Sequence, residues 1–125
     1  MTTTKNAKST ADNAKKVVLT FINALNEEDF ETAKSCLNED MVFDGVLGHR
    51  DGADTYISDM KKMKFKYKIK KAFEDDNDVC LLYDIDMGGK NIIFTCGWYQ
   101  IKNNKIKSLK VVFDPRPVLE KSDKK

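Results

Sequence analysis

The first third of the chain repeats apolar residues at helical spacing. Within residues 14–25 they recur every three or four positions, at Val17, Val18, Phe21, Ile22 and Leu25. This spacing predicts an amphipathic helix with one face against a partner. After a polar break, Asp29 is suited to cap a second helix that carries Phe30, Ala33, Cys36 and Leu37. Two helices joined by so few residues are expected to pack as a hairpin.

A short apolar run and a loop with two glycines follow these helices. Residues 41–43 predict a short strand, and residues 51–54 begin a third helix with an apolar face formed by Tyr56, Ile57 and Met60. Asp44, His49 and Arg50 therefore lie where the helical layer meets the strands. We expect a small domain of this kind to hold a pocket at that junction.

After Lys64 the apolar period changes from helical to two. Phe65, Tyr67 and Ile69 alternate with lysines, so one strand face is predicted to be buried and the other solvated. Three more strands are predicted, separated by turn sequences, at residues 79–87, 91–101 and 106–113. Helices followed by consecutive hairpins indicate an α+β fold. We expect a strongly curved antiparallel sheet that wraps around the N-terminal helices as a cone, closed by the loop after Asp44.

Length and composition indicate one domain. The chain has 125 residues, of which 41% are hydrophobic and 34% charged, enough for one core without disulfides or metal. We expect a single domain over residues 11–119, a disordered arm at 1–10 and a loose basic tail at 120–125. No apolar run is long enough to cross a bilayer, and the polar N-terminus lacks the apolar segment of a secretory signal. The sequence therefore predicts a cytoplasmic protein with no membrane partner.

The basic residues argue against a nucleic-acid partner. The formal net charge is +2, and only two of the 22 basic residues are arginines, Arg50 and Arg116. This composition disfavours bidentate recognition of phosphate or guanine. Phe65 and Tyr67 interleave with a lysine run, but strand alternation places their rings on the face opposite the lysines. Binding of nucleic acid is the weakest function class, and a solvated strand face explains the lysines.

The three cysteines are too dispersed for a metal site or a disulfide framework. Cys36, Cys80 and Cys96 form no CxxC pair and no cluster with histidine. We expect small core residues, no metal and no cofactor. The alternative is a nucleophilic cysteine with His49 as its base, although nothing nearby marks a stabilised thiolate.

Several short segments, in a shared order and spacing, resemble the nuclear transport factor 2-like superfamily, in particular its SnoaL-like and ketosteroid isomerase-like members. They lie between Val17 and about Leu119 and read FINALNEEDFETA, CLNEDMVFDG, GHRDGADTYI and KIKSLKVVFDPRPVL. The resemblance implies a cystatin-like α+β cone that binds a small, mostly apolar molecule, with isomerase, cyclase or hydrolase chemistry left open. It also allows a non-catalytic dimeric scaffold or protein-interaction domain, because the fold alone does not decide. In either case we expect a homodimer that forms through the outer sheet face.

The resemblance assigns roles to individual residues. Asp44 matches the proton-shuttling carboxylate of the ketosteroid isomerases, and His49 could titrate near neutral pH and act with it. The isomerases also use a tyrosine and a protonated aspartate, whose positions correspond here to Phe21 and to Cys96 or Gly97. None of these supplies the missing donor, so steroid isomerase activity itself is not expected. The alternative is that Asp44 only begins a turn and His49 is a surface residue.

The predicted pocket wall is apolar and mostly aromatic. Its proposed ligand-binding residues are Phe21, Leu25, Val46, Tyr56, Met60, Trp98 and Phe113. Core packing is the alternative for each of them.

Three further charged residues allow two interpretations each. Arg50 is expected to pair with Asp51 or Asp54, or else to hold an anionic ligand group. Asp84 and Asp86 share one strand face. They would form an acid pair or weak cation site if they lined the cone, or neutralise strand lysines if they faced outward. The outward orientation is favoured because adjacent strands carry opposite charges.

Overall fold

Within residues 2–88 and 92–117, which the computed structural model describes, the chain forms three helices and six strands. The helices are α1 (Thr2–Asn26), α2 (Phe30–Ser35) and α3 (Ala53–Met63). The strands are β1 (Leu37–Asp44), β2 (His49–Asp51), β3 (Lys66–Asp75), β4 (Asp78–Asp86), β5 (Ile92–Lys102) and β6 (Lys105–Phe113). Side chains are described from Ala14 onward, and the basic tail predicted at 120–125 lies outside the described residues.

The apolar stripe of α1 packs into the core as its spacing predicts. Val18, Phe21, Ile22 and Leu25 are all buried. The backbone continues this helix through residues 2–10, where the sequence led us to expect a disordered arm. That segment contains no glycine or proline, the residues that most strongly oppose a helix, so its composition is compatible with the helix.

The six strands form one sheet in the order β2-β1-β6-β5-β4-β3. The antiparallel hairpins from β3 to β6 confirm the predicted order, but β1 pairs with β6 in parallel. The sheet is therefore antiparallel at every strand pair except this one. Four strands and α3 lie between β1 and β6 in the chain, and β6 returns beside β1 in the same direction. Register shifts within β1–β6, β3–β4 and β5–β6 are sites where strands bend. The sheet is curved and unclosed. Its combination with the helices confirms the α+β class.

The two faces of the sheet differ in exposure. On β4, Val79, Leu81, Tyr83 and Ile85 are buried against the helices, and the residues between them are only half-buried. Asp84 and Asp86 are among the latter and lie opposite Lys68 and Lys66 of β3. Asp84 Oδ2 is also 3.5 Å from Lys70 Nζ. The outward orientation of the two aspartates is therefore confirmed.

The cysteines divide between the core and the outer sheet face. Cys36 is buried, as predicted. Cys80 and Cys96 lie on the outer face, half-buried, with their sulfur atoms 3.6 Å apart. Placing these two in the core was wrong because alternation on β4 and β5 gives the inner face to their neighbours.

Among the helices in the described residues, none combines the length and the apolar character required to span a membrane.

Candidate functional site

A cavity of about 350 Å³ opens between α3, the loop 45–48 and the inner face of the sheet. Its walls are mainly aromatic, aliphatic and methionine side chains. The lining residues are Phe43, Gly45, Val46, Leu47, Gly48, Arg50, Tyr56, Asp59, Met60, Met63, Phe65, Tyr67, Tyr83, Ile85, Met87, Leu109, Val111 and Phe113. The cavity is at the lower end of the size range of small-molecule sites, which is about 300–1,000 Å³.

One ion pair supplies the charge in the described part of the cavity wall. Arg50 lies opposite the inward-facing Phe43 on paired strands, and its Nε donates to Asp59 Oδ2 at 2.7 Å. The Arg50 Nη1 group donates to the carbonyl oxygen of His49 at 2.9 Å. Asp59 projects from α3 and its side chain is 21% exposed. The guanidinium is thus held at two of its nitrogens, and the charges of the pair cancel.

Tyrosine hydroxyls are the other polar groups in the wall. The Tyr67 hydroxyl faces Met60 Sδ at 3.7 Å, a weak acceptor, and the hydroxyls of Tyr83 and Tyr99 are 2.6 Å apart. Burial raises the pKa of Tyr56, Tyr67 and Tyr83 above the ordinary value of 10. These phenols therefore stay protonated and neutral near pH 7, where they can donate or accept hydrogen bonds.

Aromatic rings fill the deep end of the cone. The ring of Phe21 stacks on Tyr56 with centroids 6.3 Å apart, and it meets Tyr99 edge-on at the same distance. Phe43 packs against Tyr56 at 5.1 Å. Phe43 and Tyr56 line the cavity, and Phe21, which does not, packs behind the Tyr56 ring.

The predicted catalytic pair forms a separate cluster. His49 Nδ1 is 2.6 Å from Asp44 Oδ1, and His49 Nε2 is 3.0 Å from Asp51 Oδ1. Asp44 is opposite Lys110 on β6, whereas its neighbour Phe43 is opposite the buried Leu109. Asp44 and His49 therefore lie on the outer face, about half exposed, and neither lines the cavity. Placing Asp44 at the cavity mouth was wrong for this reason.

The cluster is not arranged for a metal ion. Asp44 and Asp51 bind opposite nitrogens of one imidazole ring, so the three side chains do not converge on one point. Throughout the described residues, no group of three or more histidine, cysteine, aspartate or glutamate side chains is placed to hold a metal.

Most of the chain matches a known protein family. The family model described as "SnoaL-like domain" matches residues 18–109. The chain belongs to the SnoaL-like family. A search of curated protein sequences found no match to this chain.

Solved structures place this SnoaL-like protein among nuclear transport factor 2-like folds. An NTF2-like protein of unknown function from Cytophaga hutchinsonii is 51% identical, with 85% of this chain and 94% of that chain covered and a TM-score of 0.83. An LEH-like epoxide hydrolase of M. tuberculosis is 23% identical over 88% and 89% of the two chains, with a TM-score of 0.78. A protein provisionally assigned as a ketosteroid isomerase, from Kribbella flavida, is 9% identical over 83% and 79%, with a TM-score of 0.77. The last two similarities show the fold alone.

The SnoaL-like chain brings four of the seven predicted ligand-binding residues to the cavity: Val46, Tyr56, Met60 and Phe113. Phe21 and Leu25 are buried in the core behind it. Trp98 is on the outer face and 41% exposed, where its Nε1 donates to Asp78 Oδ1 at 2.9 Å. Including Trp98 in the pocket was wrong because its neighbour Tyr99 occupies the inner position on β5.

The positions that the resemblance linked to missing donors have other neighbours. Phe21 is fully buried, and Cys96 is on the outer face of the sheet. At Gly97 an added Cβ would overlap the Tyr83 hydroxyl. A tyrosine hydroxyl, rather than a carboxyl group, therefore takes the space beside this strand position.

Sequence reasoning missed Asp59 and several apolar wall residues, among them Met63 and Tyr67. It also paired Arg50 with the wrong acid. Asp54 pairs with Lys34 and Asp51 with His49, which leaves Asp59 as the partner of Arg50. Asp59 follows Tyr56 by about one helical turn, and residues at that spacing share a helix face. This spacing could have identified Asp59 as a residue of the cavity wall.

Proposed function

We propose that this SnoaL-like protein binds a compact, mostly apolar molecule in the cavity between α3 and the inner sheet face. The observation that carries this proposal is an apolar cavity of about 350 Å³ with one ion pair and a few tyrosine hydroxyls in its wall. Ligand sites typically combine apolar walls with a small number of fixed polar groups in this way. The similarity to a protein named as an epoxide hydrolase supports a small-molecule role without giving the ligand.

The charge balance at the cavity favours a neutral ligand with one oxygen atom. Because Asp59 already neutralises Arg50, a ligand carboxylate would meet the Asp59 carboxylate as well as the guanidinium. A ketone, ester, epoxide or alcohol oxygen can instead accept a hydrogen bond from the held guanidinium and leave the ion pair intact. The rest of the molecule would lie against the aromatic and methionine surface.

A matched series of three compounds tests this preference. Tetralin, 1-tetralone and tetralin-1-carboxylate share one bicyclic framework and differ in their polar group. Isothermal titration calorimetry should show binding of tetralin and about tenfold tighter binding of 1-tetralone, because a hydrogen bond to a charged donor contributes roughly that much. The carboxylate should bind more weakly than the ketone. Failure of all three compounds to bind would contradict the proposal.

The chain offers a matched control for Arg50. We expect Arg50→Gln to remove the preference for 1-tetralone over tetralin while tetralin still binds. Arg116 also pairs with an aspartate, Asp114, but lies outside the cavity wall, so Arg116→Gln should keep the preference. Calorimetry with tetralin and 1-tetralone on both variants measures this preference. Equal effects of the two substitutions would exclude Arg50 as the polar contact.

A second proposal concerns the outer sheet face, which we infer pairs with a second copy of this chain. Large apolar side chains are exposed there on three strands of the sheet, β3, β5 and β6, at Phe73, Ile92, Phe94, Trp98 and Val112. Apolar patches of this kind mark interaction sites, and a twofold axis lets one patch cover itself. The exposed apolar patch supports the homodimer that we expect from the sequence.

The dimer has a direct test by light scattering coupled to size-exclusion chromatography. The wild type should elute at twice the 14.3 kDa chain mass. Phe94→Lys should give the monomer because it buries a charge in the contact. Leu47→Lys, a change at an exposed apolar residue of the cavity loop, should remain dimeric. A monomeric wild type at every concentration would overturn the dimer.

Acid–base chemistry by Asp44 and His49 stays a prediction. Their 2.6 Å contact supports a proton-transfer pair, while their position outside the cavity wall favours binding alone. Deuterium incorporation at C2 of 1-tetralone in D₂O is the measurement. Catalysed exchange that Asp44→Asn abolishes without loss of folding would support the pair, and exchange no faster than in buffer would remove it.

A further inference from the structure

The single histidine of the chain lies between two carboxylates. Asp44 of β1 faces its Nδ1, and Asp51, two residues further along β2, faces its Nε2. An ionised carboxylate only accepts hydrogen bonds, so both contacts need an N–H on the ring. The full set of bonds therefore exists only when His49 is an imidazolium.

The charge state of His49 depends first on Asp44 and then on Asp51. Hydrogen bonds to these two carboxylates raise the pKa of His49 above its ordinary value of 6.5. The two bonds from His49 to Asp44 and Asp51 form a clamp. This clamp adds stability that is fully present below pH 6.5 and is lost as the pH rises through the higher, native-state pKa of His49. On deprotonation the shorter contact favours keeping the one remaining N–H at Nδ1, and this cross-strand bond to Asp44 loses its charge assistance. The ring then presents a lone pair to Asp51.

Other charged groups nearby do not replace this clamp. Lys110 of β6 is opposite Asp44 in register, and its Nζ lies 5.6 Å from the ring centroid of Trp98. Arg50 points to the other face of β2, where Asp59 of α3 binds it. The two aspartates remain the partners of the imidazole ring itself.

The clamp holds a weakly supported strand beside the cavity. β2 has only three residues, all exposed, and forms the edge of the sheet against β1. The loop between the two strands is closed by one bond from Gly45 N to Gly48 O at 2.7 Å, and residues 45–48 line the cavity. Arg50 is on the same short strand and donates to the His49 carbonyl. Movement of β2 would therefore move two parts of the cavity wall.

We propose that His49 is a positioning residue for the cavity: its bond to Asp44 holds β2 on β1, its bond to Asp51 fixes the ring on β2, and together they hold Arg50 and the loop 45–48 in the ligand-binding arrangement. The cavity part of this inference rests on the proposed function. The role belongs to the charged ring, so ligand binding should weaken when the ring loses its proton.

Nuclear magnetic resonance measures the clamp without any ligand. The lone imidazole gives one titration curve, and amide hydrogen exchange at Gly45 reports the loop, as a protection factor relative to the intrinsic rate at each pH. We expect protection to fall about two- to fivefold as the imidazole titrates, the size of an exposed ion pair. Constant protection through that titration would overturn the inference.

Two aspartate variants separate the clamp from a general effect of charge. In Asp51→Asn the amide can accept from the imidazolium and donate to the neutral ring, so protection should stay high across the titration. Asp114→Asn removes a carboxylate that binds Arg116 instead, so protection should fall as in the wild type. A fall in Asp51→Asn equal to that of the wild type would count against the clamp.

Calorimetry with 1-tetralone across the same pH range connects the clamp to the cavity. Affinity in the wild type should fall about two- to fivefold with the midpoint of the imidazole titration, and Asp51→Asn should show no such fall. Unchanged wild-type affinity overturns the positioning role while leaving the proposed function intact. Absence of binding at every pH removes the proposed function, and with it the role of His49 at the cavity.

Discussion

At the scale of single residues, Gly97 shows how the core depends on an absent side chain. It lies on the inner face of β5, and an added Cβ would overlap the Tyr83 hydroxyl and press on the ring of Tyr99. These two tyrosines meet at 2.6 Å between their hydroxyls, and Tyr83 also forms part of the cavity wall. Glycine at this position therefore lets a buried polar contact form beside the cavity.

Gly97→Ala should consequently destabilise the protein by about 1–3 kcal/mol, the usual cost of adding bulk to a packed core. Gly48→Ala is the matched control, because the space around Gly48 is open. Urea denaturation gives both free energies of unfolding. Equal stability of the two variants would mean that Tyr83 is not held where the structure shows it.

Residue roles on β5 could not be derived from the sequence. Ile92, Phe94 and Trp98 face outward while Ile93 and Tyr99 face inward, so both faces are apolar and alternation does not identify the inner one. The prediction therefore placed Trp98 in the pocket. The outward position of Asp44, in contrast, could have been derived, because alternation from the inward-facing Phe43 turns Asp44 outward. We placed Asp44 at the cavity mouth because it resembled the base of the isomerases.

At the scale of elements, Asn26 joins the end of α1 to β3. Its side chain donates to the Tyr67 carbonyl at 2.9 Å and accepts from the Tyr67 amide at 2.6 Å, as a neighbouring strand would. Lys66 Nζ adds a bond to the Asn26 carbonyl at 2.8 Å. This joint fixes the strand that carries Tyr67 into the cavity wall.

Asn26→Ala should cost about 1–3 kcal/mol, because it leaves two partly buried backbone groups of Tyr67 without partners. Asn23→Ala, an exposed position on the same helix, should change stability little. Thermal unfolding followed by circular dichroism compares the two variants. A loss of stability in Asn23→Ala as large as in Asn26→Ala would show that helix propensity, not the joint, sets the effect.

Most elements and the antiparallel hairpins from β3 to β6 followed from the sequence, but the pairing of β1 did not. Period-two alternation located β3, turn sequences separated β4, β5 and β6, and helical spacing located α1 and α3. The strand β2 was missed because its three residues, His49, Arg50 and Asp51, are all polar and give no alternation. The parallel contact of β1 with β6 is a long-range pairing, and a local pattern carries no information about it.

At the scale of the whole molecule, the two faces of the curved sheet carry different features. Its inner face and α3 enclose the cavity, and its outer face carries exposed apolar residues together with the His49 cluster. The sequence predicted the cone and an apolar pocket. It could not predict that the rings of Phe21, Tyr56 and Tyr99 fill the deep end, because that depends on the curvature of the finished sheet.

Two neighbouring valines of β6 test the central claim, that the cavity on the inner face is the ligand site. Val111 lines the cavity, whereas Val112 is exposed on the outer face. Calorimetry with 1-tetralone should show that Val111→Phe, whose larger side chain narrows the cavity, strongly weakens binding and that Val112→Phe keeps the wild-type affinity. Wild-type affinity in Val111→Phe would contradict the account.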